Sequence, residues 1–204
     1  MALIIPVLVR GINNLSDARY CAGMGADGLI FTLDSSLPGA VDVATVKELA
    51  GWVAGVKLLG EFDTLPVSEI NRLVEECSLQ EVVIGQTPAV PFSVPALLRA
   101  PAFLAALDGA QEEMLQQYTP VLPAGFGLVV TVDLPLSMVM QYELAQAATR
   151  FPLWICGPIT ADNVRDLIDT IHPAGLLLEG GDEIKPGLRD FTELEAVFEA
   201  LEEE

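Results

Sequence analysis

Glu179, Gly180 and Gly181 follow the apolar run Ala174 to Leu178 and open the segment E-G-G-D-E-I-K-P-G-L-R-D. Glycines close behind a strand let a turn expose its backbone N–H groups, which is how a chain cradles an anion. The carboxylate of Glu179 opposes that chemistry. At about 4 Å and an effective dielectric near 20, it would repel a bound anion by on the order of 4 kcal/mol per charge pair. Arg10 ends a second apolar run, Leu3 to Val9. Arginine keeps its proton at any physiological pH, so Arg10 can pair with a carboxylate or hold an anion but cannot serve as a base. Asp133, at the end of Gly127 to Asp133, is the candidate proton donor. Cys156 ends another apolar run and is followed by Gly157, a second candidate for contact with a ligand. Asp34, Glu61, Asp63, Asp133 and Glu179 all fall near strand ends, where oxygen ligands for a cation are an alternative reading. No metal is assigned, because carboxylates abound in so acidic a chain. His172, the one histidine, precedes Pro173 in a link between a helix and a strand, which argues against a catalytic role.

These residues need elements to carry them. Short apolar runs alternate with amphipathic stretches along the chain. Strands are predicted at Leu3–Val9, Gly28–Leu33, Val56–Phe62, Glu81–Gly85, Ala102–Leu107, Gly127–Asp133, Leu153–Cys156 and Ala174–Leu178. Helices are predicted at Asn14–Met24, Asp42–Val53, Val67–Cys77, Gln111–Tyr118, Ser137–Arg150, Asp162–Ile171 and Phe191–Glu203. Thr87 to Pro101 is rich in proline and predicts a short or irregular fourth helix. Valine- and leucine-rich strands separated by helices imply a parallel sheet covered by helices. Eight such pairs predict an α/β fold, a closed (β/α)8 TIM barrel spanning residues 1–204 as a single domain. An open doubly wound sheet is the alternative, but no G-x-G-x-x-G follows the first strand.

Three stretches resemble the phosphoribosylanthranilate isomerases. Arg10-Gly11-Ile12-Asn13-Asn14-Leu15-Ser16-Asp17-Ala18, continuing to Gly25-Ala26-Asp27-Gly28, is similar to that family's C-G-I-T-x-x-x-D-A…G-A-D opening. Cys156-Gly157-Pro158-Ile159-Thr160-Ala161-Asp162-Asn163-Val164 is similar to A-G-G-L-N-P-x-N-V. The run from Glu179 to Asp190 resembles the closing phosphate loop and Pro-Gly turn. The resemblance implies a barrel with its site at the C-terminal ends of the strands, and an isomerase of tryptophan biosynthesis that rearranges an aminosugar phosphate. It also implies a cysteine base ending the first strand and an aspartate acid on the sixth. Here the cysteine position is Arg10, and Asp133 matches the acid only after a shift of two residues.

Other positions depart as well. Pro158 replaces the second glycine of the seventh-strand loop and removes a backbone donor. Glu179 stands where the phosphate loop has its first serine. The substrate-contacting arginine after the second strand has no counterpart in Thr32 to Val41, and Q-L-H-G on the fourth strand reads Val83-Ile84-Gly85-Gln86. The expectation is a diverged barrel without the ancestral isomerisation, binding another ligand or partner at its mouth. Its altered site residues are Arg10, Asp133, Gly157, Glu179, Gly180 and Gly181. Two alternatives stay open: a working isomerase using Asp133, and an enzyme for an uncharged or cationic small molecule. First and eighth strands are neighbours in a closed barrel, so Arg10 is expected to reach Glu179, or else Asp133 or Glu61.

Composition bounds the partners. Ten Lys and Arg against 29 Asp and Glu leave a net charge of -19, which disfavours nucleic acid and anionic membranes. No basic cluster stands out in the sequence. No apolar run reaches the roughly 18 residues needed to span a bilayer. Cys21, Cys77 and Cys156 lack metal-type spacing and predict reduced, structural thiols in a cytoplasmic protein. No cofactor is implied, and the expected assembly is a monomer or homodimer.

Overall fold

Both faces of each short strand carry apolar side chains, and a strand apolar on both faces must be covered on both. The computed structural model, which describes residues 2–88, 90–99, 125–180, 182–185 and 188–203, shows how. Eight parallel strands close into a barrel in sequence order: β1 Val7–Arg10, β2 Gly28–Thr32, β3 Lys57–Phe62, β4 Glu81–Ile84, β5 Ala96–Arg99, β6 Phe126–Thr131, β7 Leu153–Cys156 and β8 Gly175–Glu179. The seam between β1 and β8 pairs Val7 with Leu176 and Arg10 with Glu179. The described helices are α1 Leu15–Gly23, α2 Val43–Ala50, α3 Val67–Cys77, α4 Met138–Ala148, α5 Val164–Ile171 and α6 Thr192–Ala200.

Local chemistry starts three of these helices. Asn14, Asp42 and Ser137 sit extended at the N-caps of α1, α2 and α4, and each side chain accepts a backbone N–H three residues on. Amphipathic faces then dock on the sheet. Ala18, Val46, Leu73, Leu144, Leu167 and Phe198 join the outward-facing strand residues in one large core. Cys21 lies in this outer core, away from the barrel lumen.

Inside the barrel, every strand contributes one side chain to a separate core: Leu8, Ile30, Leu59, Val83, Leu97, Val129, Cys156 and Leu177. Below that ring, Trp154 fills the space left by Gly175, where a Cβ would stand 2.3 Å from the indole. Two residues further along each strand, the same face reaches the barrel mouth. Seven strands place Arg10, Thr32, Glu61, Gly85, Arg99, Thr131 and Glu179 there, so the period of two delivers the site.

The sequence reading differs from the fold in four places. The fifth strand is Ala96–Arg99 and not Ala102–Leu107, which lies outside the described residues, as does the helix expected at 111–118. Pro95 is the reason: it closes the proline-rich stretch at the strand entrance, where its carbonyl accepts the N–H of Val82 and no donor is needed. Among the described residues no helix joins β4 to β5. Strand β6 ends at Thr131, so Asp133 lies beyond it, after Val132 has made the last ladder bond to the Cys156 carbonyl. The segment after Glu179 contains an antiparallel pair, β9 Asp182–Lys185 with β10 Leu188–Asp190, before α6 begins. Gly181, Pro186 and Gly187 lie outside the described residues.

Candidate functional site at the barrel mouth

Glu61 is the centre of the mouth. It projects from β3 and is only 1% exposed, an expensive place for a carboxylate unless it is paired. Thr32 on the neighbouring β2 donates its hydroxyl to Glu61 Oε2 at 3.0 Å. Arg10 Nε lies 3.5 Å from the same oxygen, and Arg99 Nη1 lies 3.6 Å from Oε1. β1 and β5 are opposite walls of an eight-stranded barrel and β3 stands midway between them. The two arginines therefore share one buried anion.

Arg99 is anchored further. Its Nη2 donates to Asp63 Oδ1 at 3.1 Å and to the Phe62 carbonyl at 3.3 Å. Gly85 makes that pair possible, because a Cβ there would stand 1.8 Å from Asp63 Oδ1. Two buried atoms of this network, Glu61 Oε1 and Arg99 Nε, have no hydrogen-bond partner among the described residues.

Arg10 is held more loosely. Its Nη1 lies 3.5 Å from Glu179 Oε1. That distance is an ion pair but longer than the 2.7–2.9 Å typical of a charge-assisted hydrogen bond. The Arg10 side chain is 32% exposed and that of Glu179 is 56% exposed. Of the carboxylates expected as partners, Arg10 meets Glu61 and Glu179; no ion pair joins it to Asp133, which is exposed beyond β6.

Cys156 completes this wall beneath Glu179. Burial, reinforced by the nearby Glu179 charge, pushes its thiol up to about 11; Arg10, Thr131 and the Gly157 backbone offset this only in part. A thiol so raised is a poor nucleophile at neutral pH. Asp34, also buried, serves the loops. Burial alone would raise its pKa, but hydrogen bonds from Ser36, Thr64 and Asp63 outweigh that and hold it well below the usual carboxylate range. The bonds from Asp63 N and Thr64 N tie the loop after β3 to the loop after β2. Among the described residues, no group of three or more His, Cys, Asp or Glu is arranged to hold a metal ion.

The expected anion cradle is differently used. Gly180 donates its N–H to the Arg10 carbonyl at 2.8 Å, continuing the β8–β1 ladder instead of facing a ligand. Gly157 has φ +151°, and a Cβ there would stand 2.4 Å from the Val132 carbonyl oxygen, so only glycine fits the turn. A cleft of ≈ 500 Å³ opens between these loops and α6. Among the described residues it is lined by Pro158, Ile159, Leu178, Leu194 and Val197, with the carboxylates of Glu179, Asp190 and Glu193. Gly181 is outside the described residues. His172 caps α5 in the left-handed region, at the opposite end of the barrel from this site.

Sequence reasoning missed Arg99, Thr32 and Thr131. A signal for Arg99 existed: Pro95-Ala96-Leu97-Leu98-Arg99 repeats the pattern of Pro6-Val7-Leu8-Val9-Arg10. The mouth also holds two arginines that no linear cluster announces.

No protein-family model matches the chain. An N-(5'-phosphoribosyl)anthranilate isomerase of Geobacter sulfurreducens is 29% identical over 202 residues, covering 91% of this chain and 93% of that one. One from Pseudomonas putida is 27% identical over 211 residues, 96% of each chain. Among solved structures, the phosphoribosylanthranilate isomerase of Thermotoga maritima superposes with a TM-score of 0.77 at 17% identity, over 97% of this chain and 98% of that one. The Thermus thermophilus enzyme gives 0.75 at 21%, with the same coverage. Over nine-tenths of its length the chain is similar in sequence to phosphoribosylanthranilate isomerases, and it shares the closed barrel of the solved ones.

Proposed function

We propose that this barrel no longer performs the isomerisation named for its relatives and instead binds a small ligand at its mouth. One observation carries the reading: Arg10 stands at the strand end where the family resemblance calls for a base, paired with Glu61 and Glu179. A guanidinium cannot take a proton from substrate. The mouth-facing residue ending β6 is Thr131, whose hydroxyl is no acid at neutral pH. The phosphate end of an aminosugar substrate would meet Glu179, Asp190 and Glu193 around the β7–β8 cleft. Their exposure softens the repulsion without reversing its sign.

The test is direct. Purified chain is incubated with phosphoribosylanthranilate and product is followed, beside an attempt to rescue a tryptophan auxotroph. The expected outcome is no turnover above the uncatalysed rate and no rescue. Turnover that disappears in Asp133→Asn would overturn the reading and assign the acid to Asp133.

A further inference from the structure

We infer that the barrel face carrying α4 docks a second copy of this chain, each copy placing Met138 in a cleft of the other. α4 is apolar on nearly every side. Its residues, M-V-M-Q-Y-E-L-A-Q-A-A, include one charge, Glu143, whereas α3 of equal length carries Glu69, Arg72, Glu75 and Glu76. Leu144 and Ala147 bury the inner side in the outer core. Met138 and Tyr142, four residues apart and so on one stripe, face outward and are 85% and 63% exposed. A helix that is apolar all round is ordinarily covered all round.

A cleft of ≈ 370 Å³ adjoins that stripe between α4 and α5, with Leu134, Pro135, Leu136, Leu167 and Ile171 as apolar walls. Gln141 lines it from α4, three residues after Met138, so knob and hole are neighbours on one surface. Such a patch is self-complementary: a two-fold axis seats each Met138 in the other copy's cleft, and one contact generates its twin. Methionine, unbranched and adaptable, suits an irregular apolar hole. Asp166, which also lines the cleft, is an acceptor for the arriving Tyr142 hydroxyl.

Charge selects the occupant. At a net charge of -19, two copies repel over most of their surface. They can approach where charge is sparse, and α4 supplies that place. A basic partner is drawn instead to helices such as α6, with Glu193, Glu195 and Glu199. One helix face and one cleft make a small interface, near about 1,200 Å² in total, for which a Kd of roughly 1–100 μM is expected.

Sedimentation velocity of the full chain from about 1 to 500 μM tests this. Wild type is expected to pass from monomer to dimer, and about 0.5 M salt tightens the dimer by screening the repulsion. Met138→Glu, at an exposed site that leaves folding intact, weakens it at least about tenfold. Trp52→Ser, at an exposed apolar residue beyond α2, leaves it unchanged. Mixing Met138→Cys and Thr170→Cys chains under oxidation gives a disulfide-linked dimer that neither variant gives alone, since Cys21, Cys77 and Cys156 are buried. A monomer at every concentration, a dimer that salt loosens, an undiminished Met138→Glu dimer, or self-linking of Met138→Cys would each overturn the inference. So would coverage of the stripe by this chain's own residues 100–124, seen as a monomer whose Met138→Cys thiol alkylates as slowly as Cys156. None of these outcomes bears on isomerase turnover, so the reading of the mouth stands or falls separately.

Discussion

Gly85 and Asp63 occupy one space at the mouth: a methyl group on Gly85 would stand 1.8 Å from Asp63 Oδ1 and 3.2 Å from Arg99 Nη2. The obstructed atom ends a partly exposed side chain that can swing away. Gly85→Ala is therefore expected to fold, to lose the Asp63–Arg99 contact, and to cost about 1 kcal/mol. Gly157→Ala meets the rigid Val132 carbonyl at 2.4 Å and is expected to cost at least about 2 kcal/mol more. Urea unfolding of both variants checks the order, and equal losses would contradict it.

Glu61 and Arg10 should differ in their weight for stability. Glu61→Gln removes the anion shared by two arginines in a buried site, and breaking such a pair typically costs roughly 3–5 kcal/mol. Arg10→Met leaves Glu61 its Thr32 hydroxyl and Arg99, and is expected to cost about 1 kcal/mol. A double-mutant cycle by chemical denaturation measures both losses and their coupling.

Asp34 gives a pH signature. A carboxylate whose folded-state pKa is depressed contributes stability that is complete above its unfolded value, near 4, and is lost as pH falls below it. The Tm gap between wild type and Asp34→Ala should accordingly be largest near neutrality and shrink below about pH 4. Thermal melts across pH 2–7 read it directly, and a gap that grows on acidification would refute the role.

With its thiol near 11 and its side chain buried, Cys156 should resist alkylation at pH 7.5 in the folded protein and react at once in denaturant. Peptide mass spectrometry after iodoacetamide treatment distinguishes it from Cys21 and Cys77. Rapid native labelling of Cys156 would mean that the mouth opens.

Arg10→Cys returns a thiol to the strand end but leaves Thr131, Glu179 and Pro158 in place. No isomerase activity is expected from this variant, because one proton acceptor does not rebuild the acid or the anion site. Measurable turnover would show that Arg10 alone blocks the reaction.

Local pattern determined much of this protein: the parallel barrel from alternating apolar and amphipathic runs, the β1–β8 neighbourhood of Arg10 and Glu179, and the place of Cys156 at the end of the seventh strand. Those features follow from hydrophobic periodicity and ring closure, which a linear chain displays. Tertiary structure alone decided which carboxylate Arg10 shares, that Arg99 faces it from the opposite wall, and that the Gly180 N–H serves the sheet instead of a ligand. The prolines before Arg99 masked its strand, because their turn chemistry and a strand entrance look alike in one dimension. Partnership across a lumen depends on strand register and on how far each strand runs before it turns. A residue's neighbours in sequence do not carry that information.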